Sequence, residues 1–280
     1  MRWGLALRAL CVAAAAYSCG MASAQDIGEI DATIEPVSGS SSFWSSLFDT
    51  RIKKRRAFDF LSGGMPDRLM YFGGVDASHW SLGAYGGLQW APAGLNKDGF
   101  ILRFFLSENL ERYTTGTRSD YTQISRAAIL PGYLIRTGNL EVQLLAGLDM
   151  EADYFYHDQR RSRLRAMLGA RGTMDVWWEP TRELMLQYAI SGTTIDTGYT
   201  TRIAAGWRLF DLFWIGPEAA LSNDYFSQQT RIGGHLTGLR TGPYEWSFAA
   251  GHVRDNFERQ GVYARFGMVM RPPRAPFFEN

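Results

Sequence analysis

The chain has almost no cysteine: two among 280 residues, Cys11 and Cys19, both within the first twenty positions. From Gly20 onward there is no thiol, which excludes disulfide staples, a thiolate nucleophile and cysteine-ligated metal from that region. Long apolar runs are missing too. Beyond the N-terminus no stretch of about eighteen apolar residues occurs and mean hydropathy is −0.19, which excludes a bundle of membrane-spanning helices. Excess charge of one sign is also lacking, since 29 Lys and Arg face 28 Asp and Glu for a formal net charge of +1. That balance argues against a dedicated nucleic-acid binder. No G-x-S-x-G elbow, H-E-x-x-H or cysteine–histidine spacing is present. The glycine pairs Gly63-Gly64, Gly73-Gly74, Gly86-Gly87 and Gly233-Gly234 lack the helix that a phosphate cradle requires.

What is present begins with an export signal. Arg2 and Arg8 make a basic start, Ala9 to Ala16 an apolar stretch, and Ala22-Ser23-Ala24 before Gln25 a small-residue cleavage site. These features predict a secretory signal peptide over residues 1–24. Its removal takes both cysteines and lowers the formal charge from +1 to −1. A rival reading makes Cys19 the lipidated first residue of a lipoprotein, but Tyr17 and the missing leucine fit a lipobox badly. Residues 25–66 form a separate stretch, serine-rich at Ser38–Ser46, with Trp44, Leu47, Phe48 and Ile52 near helical spacing before Lys53-Lys54-Arg55-Arg56. This stretch reads as a solvated linker with a short helix, and a plug of the following domain is the sharper alternative.

From about Arg68 to Arg271 the chain repeats one unit, roughly ten residues of apolar/polar alternation followed by a turn, about twelve times. In Arg165–Trp178, one face holds Leu168, Ala170, Met174, Val176 and Trp178, and the other Arg165, Arg171, Thr173 and Asp175. The same parity sets Phe100, Leu102, Phe104 and Leu106 against Arg103 and Ser107, and Val262, Ala264, Phe266 and Met268 against Arg265 and Arg271. In lipid every backbone amide must pair within the protein, so a spanning sheet has to close on itself. The expected fold is all-β: a closed antiparallel up-and-down transmembrane barrel of about twelve strands over residues 67–272, with a tail at 273–280. A charge on the lipid face at midplane costs about 2–4 kcal/mol, so the arginines are expected to point inward. A soluble barrel would reverse the two faces.

Link lengths favour the membrane reading. Tight links at 136–139, 179–182, 211 and 240–243 alternate with longer, more charged ones at 114–120, 157–162, 222–228 and 254–260, as in periplasmic turns and external loops. Trp80, Trp90, Trp178, Trp207, Tyr244 and Trp246 fall near expected strand ends on the lipid-facing parity, where an aromatic girdle belongs. The expected location is the bacterial outer membrane, in contact with its lipid.

Gly74-Val75-Asp76, Gly83 to Pro92 and Lys97-Asp98-Gly99-Phe100 resemble the opening strands of the cellulose biosynthesis protein BcsS family. So do Trp177 to Thr181, Leu209-Phe210-Asp211, and Ile215 to Ala219 through Asn223-Asp224-Tyr225 to Arg231-Ile232-Gly233, in matching order. The resemblance covers about residues 68–271. It implies an exported protein of cellulose-producing systems that assists secretion or surface assembly of the polymer, with the glucan and synthase components as partners. It supplies no catalytic residues and no cofactor.

A glucan is held by aromatic faces and by side chains that hydrogen-bond its hydroxyls. The residues assigned to the lumenal parity for that role are Tyr71, Tyr85, Arg103, Arg126, Arg171, Asp175, Trp177, Arg202, Arg208, Trp214, Glu218, Arg231, Tyr263 and Arg265, with His235 beside them. The competing reading is an interior filled by arginine–carboxylate networks, with Glu218 and Glu245 as partners. A general porin is the alternative function. Among enzymes, a glycosidase needs two inward carboxylates about 5–10 Å apart, and Asp149, Glu151 and Asp175 supply candidates. A lipid hydrolase needs a Ser-His pair at the rim, and of the four histidines, His79, His157, His235 and His252, the first and last fall near expected external strand ends. No catalytic activity is expected.

Overall fold

A computed structural model describes residues 67–271 apart from 116–117, 158–159 and 225–226, so the expected signal peptide, the 25–66 stretch and the 273–280 tail lie outside the described residues. Twelve antiparallel strands follow one another: β1 (Leu69–Ser78), β2 (Ser81–Trp90), β3 (Gly99–Thr115), β4 (Arg118–Thr137), β5 (Leu140–His157) and β6 (Arg160–Trp178), then β7 (Leu184–Thr193), β8 (Tyr199–Leu209), β9 (Phe213–Asn223), β10 (Gln228–Thr241), β11 (Tyr244–Asp255) and β12 (Gln260–Met270). Each pairs with its sequence neighbours, and β1 closes on β12 from Tyr71 opposite Met270 to Ser78 opposite Tyr263. The first and last strand ends therefore share one end of the barrel, called the near end here. Closure leaves the membrane-level ladder without an edge, as lipid requires.

The alternation sorts as the residues dictate. Leu106, Ile129, Leu148, Leu168, Ile203, Ile232 and Val262 stand exposed on the outside, while Asp149, Glu151, Glu218 and His235 are buried inside. Trp90, Trp178 and Trp207 are exposed on the outer parity toward the near end. Beside them Tyr244, Trp246, Phe266 and Phe248 run in a chain of ring contacts, with centroids 5.9, 5.5 and 5.2 Å apart. These form one girdle.

Trp80 departs from the expected girdle. It sits in the β1–β2 turn, buried against Ala249, Val253 and Tyr263, with the Arg259 guanidinium 4.8 Å from its ring. The two-residue turn swings the ring over the lumen at the far end, where a cation–π contact holds it.

Link lengths also depart from expectation. The stretches expected as external loops at 114–120 and 157–162 are largely strand, with β3 running to Thr115, β4 starting at Arg118, β5 running to His157 and β6 starting at Arg160. The longest link, 91–98, lies at the near end, where tight turns are expected. Asymmetry is carried instead by strand length: β3 to β6 have 17, 20, 18 and 19 residues, against 10 in each of β1, β2 and β7. Backbone pairing runs out to Thr115 opposite Arg118 and to His157 opposite Arg160, so polar and charged sequence there belongs to paired strand rather than to loop.

Candidate lumenal site

Two charge networks cross the interior. Arg103 on β3 donates to Asp175 on β6 (2.8 Å), to Gln143 on β5 (2.8 Å) and to Gln89 on β2 (3.0 Å), tying together half of one wall. On the other side Glu218 of β9 accepts from Arg265 (2.6 Å), Tyr263 Oη (2.9 Å) and Arg202 (3.4 Å). Arg231 on β10 reaches Asp76 on β1 at 2.7 Å and lies 5.4 Å from the Tyr263 ring. Toward the far end Gln229 Nε2 of β10 donates to Glu111 of β3 at 3.4 Å, spanning the lumen between distant walls. Glu151 pairs with Arg126, and Asp149 accepts from Arg171 (2.8 Å) and Thr193 (2.7 Å).

The structure brings thirteen of the fourteen candidate residues inside. Tyr85 lies across β1 and β12, its hydroxyl close to Gly74 and Gly267, where a Cβ at Gly74 would collide with its ring. Tyr71 is the exception: it pairs with Leu88, which pairs with Phe104, and that row carries the exposed lipid-facing Phe104. In an unbulged strand residues five apart face opposite ways, and the lumenal ion pair of Asp76 therefore puts Tyr71 outside. Trp177 and Trp214 are inside but not available to a sugar. They pack with Met185 in a buried cluster, Trp177 Nε1 donates to Glu179 at 2.8 Å, and Arg208 covers Trp214 at 5.0 Å. Gly238, at φ 87°, forms the β10 bulge on which Trp214 rests. His235 is held by Thr237 (3.0 Å) and the Ala205 carbonyl (3.1 Å).

Parity reasoning missed an apolar plug at the near end. Ile101, Ala128, Leu130, Leu134 and Leu145 line the lumen there, and Ala91 and Leu95 of the 91–98 link fold in against them. Backbone hydrogen bonds from Ala91 to Arg68 and from Leu95 to Asp67 hold that link, at 2.8 and 2.7 Å. The signal lay in β4, where Ala127 to Ile135 is apolar on both parities, the pattern of a strand buried on both faces. Each proposed glycosidase carboxylate is bound to an arginine, with Asp175 on Arg103, Asp149 on Arg171 and Glu151 on Arg126. Among the described residues no cluster of His, Cys, Asp or Glu is arranged to hold a metal ion.

A closed ring with an apolar exterior, an aromatic girdle and a charged interior defines an integral β-barrel protein of the outer-membrane type. The chain belongs to the cellulose biosynthesis protein BcsS family, which matches residues 70–272. No curated protein matches the sequence. Among solved structures, it is similar to the KdgM porin (10% identity, 73% of this chain and 99% of that one, TM-score 0.42). It is also similar to LpxR from Salmonella typhimurium (9% identity, 72% and 100%, TM-score 0.46). A third likeness is the translocator domain of the autotransporter NalP from Neisseria meningitidis (11% identity, 78% and 94%, TM-score 0.43).

Proposed function

We propose that this barrel assists cellulose production as a non-enzymatic assembly and anchoring element for the glucan in the outer membrane, with its near end facing the periplasm, rather than as an open conduit. The observation that carries this reading is the bridged lumen: Arg103 joins four strands, Glu218 collects three donors, and the Glu111–Gln229 bond runs between distant walls. A polymer threading the barrel would have to break these bonds and displace the apolar plug around Ile101 and Leu134. Stripping a buried ion of its partner costs about 3–5 kcal/mol, and the cost would recur along the path. Each of the three candidate carboxylates, Asp149, Glu151 and Asp175, is engaged by a guanidinium, which argues against their serving as the acid and base of glycoside hydrolysis.

Deletion of the gene should lower extracellular cellulose while glucan synthesis in isolated inner membranes stays intact. Loss of synthesis itself would refute the reading. Reconstituted in planar bilayers, the purified barrel should show no conductance that cello-oligosaccharides block. Such a block would restore the conduit, and a conductance indifferent to sugars would favour a general porin.

A further inference from the structure

The outer face of β3–β6 changes chemistry partway along. Register aligns Leu106, Ala127, Met150 and Leu168 in one row, and the three large side chains are 63%, 57% and 70% exposed. The row beyond is Glu108, Ser125, Ala152 and Ala166, then Leu110, Gln123, Tyr154 and Leu164, then Arg112, Tyr121 and Tyr156. Glu108 accepts from Ser125 Oγ at 2.7 Å and from Gln123 Nε2, and Tyr156 Oη donates to Gln123 Oε1 at 3.1 Å. These contacts confirm that the polar side chains share the outward face.

A carboxylate and a carboxamide on that face do not belong in hydrocarbon. The ten-residue step along β6 from Trp178 to Leu168 rises about 25 Å at ~3.3 Å per residue and ~40° tilt, the height of a barrel's apolar band. The rows beyond Leu168 therefore stand above the lipid as a wall of four strands. Three tyrosines on it flank a line of hydrogen-bonding groups whose members already fix one another. The line carries one carboxylate, with Arg112 at its margin, so it suits neither a phosphate nor a strongly charged partner. Glu108, Gln123 and Ser125, interleaved with Leu110, Leu164 and the tyrosines, make it a mixed face rather than a wholly apolar one.

We propose that the outer face of this projecting wall, rather than the lumen, is where a β-glucan chain is held. Tyr121, Tyr154 and Tyr156 provide faces for sugar rings, and Glu108, Gln123 and Ser125 bond the hydroxyls between them. The proposal deepens the anchoring reading and rests on it. It places the polymer contact outside the ring, where the bridged interior is no obstacle.

The test uses the full chain purified in detergent and titrated with cellohexaose, with sedimentation on amorphous cellulose as a second readout. Tyr154→Ala with Tyr156→Ala should weaken binding tenfold or more, and Gln123→Ala severalfold. Leu168→Ala, on the lipid face, should bind as the unaltered protein does. Heat-modifiable migration in detergent gels verifies that each variant keeps a closed barrel. Failure of the unaltered protein to bind cellohexaose, or full binding by the double variant, overturns the proposal. So does a variant that loses only lipopolysaccharide binding, since the wall would then recognise the surrounding glycolipid. In cells, a deletion that lowers surface cellulose and is fully rescued by the double variant defeats this proposal alone. A deletion without effect defeats the anchoring reading.

Discussion

Glu218 shows how a single side chain commits the interior. Its carboxylate is 1% exposed and holds Arg202, Arg265 and Tyr263 together. Glu218→Ala would leave two guanidinium groups in a low-dielectric interior without their acceptor, a loss of about 3–5 kcal/mol of stability. Tyr263→Phe removes one neutral donor and should cost about 1 kcal/mol. Urea unfolding of the barrel in lipid vesicles measures both, and equal effects would contradict the hub role. At this scale the sequence was largely legible, because a charge on a spanning strand has only one tolerable direction. Arg171, Asp175, Arg231 and Arg265 stand where alternation puts them. Tyr71 was misplaced because tyrosine is tolerated on either face. Asp76, five residues on, carries the phase of β1, and its pairing with Arg231 shows it. Trp80 was misread because a turn can redirect a side chain whatever its parity.

Among elements, β4 and the 91–98 link depart most from the simple barrel pattern. The rule of apolar outside and polar inside treats Ile101 as a position open to any residue. The structure buries it completely in the plug beneath the link. Ile101→Ala should therefore cost about 2–5 kcal/mol, as in a soluble core, whereas truncating the lipid-exposed Leu148 to alanine should cost far less. Thermal or urea denaturation of the two variants in vesicles separates them, and equal losses would refute the plug. The strands were readable because period-two alternation survives from β1 to β12. Their ends were not, because charged residues at 157–162 look the same in a loop and in a strand that has left the bilayer. The wall carrying Tyr121, Tyr154 and Tyr156 was invisible for the same reason.

For the whole molecule, closure and bridging act together. If the Arg103 cluster and the Glu111–Gln229 bond hold the lumen shut, Arg103→Ala combined with Glu111→Ala should raise ion conductance in planar bilayers well above that of the unaltered barrel. Unchanged conductance would place the barrier at the near-end plug instead. The closed twelve-stranded ring followed from alternation plus the demand that lipid leave no unpaired amide. The traffic through it did not, because the same alternation lines filled and open barrels alike. The cellulose connection comes from the family match over residues 70–272 and not from the periodicity.

The height step between β6 and β7 has a consequence in time. From Arg171 to Trp178, β6 is flanked by β5 and β7, and the whole ring must open before those amides meet water. Beyond the last β7 partner, at Thr193, β6 runs on with β5 as its strand neighbour, while the β7–β8 link lies against it through Thr194 on Ala170 and Asp196 on Arg165. Hydrogen exchange should accordingly split one continuous strand into two clocks: amides of 171–178 exchanging only with global unfolding, those of 164–169 far sooner through sub-global opening. A single common rate would mean the wall and the ring unfold as one.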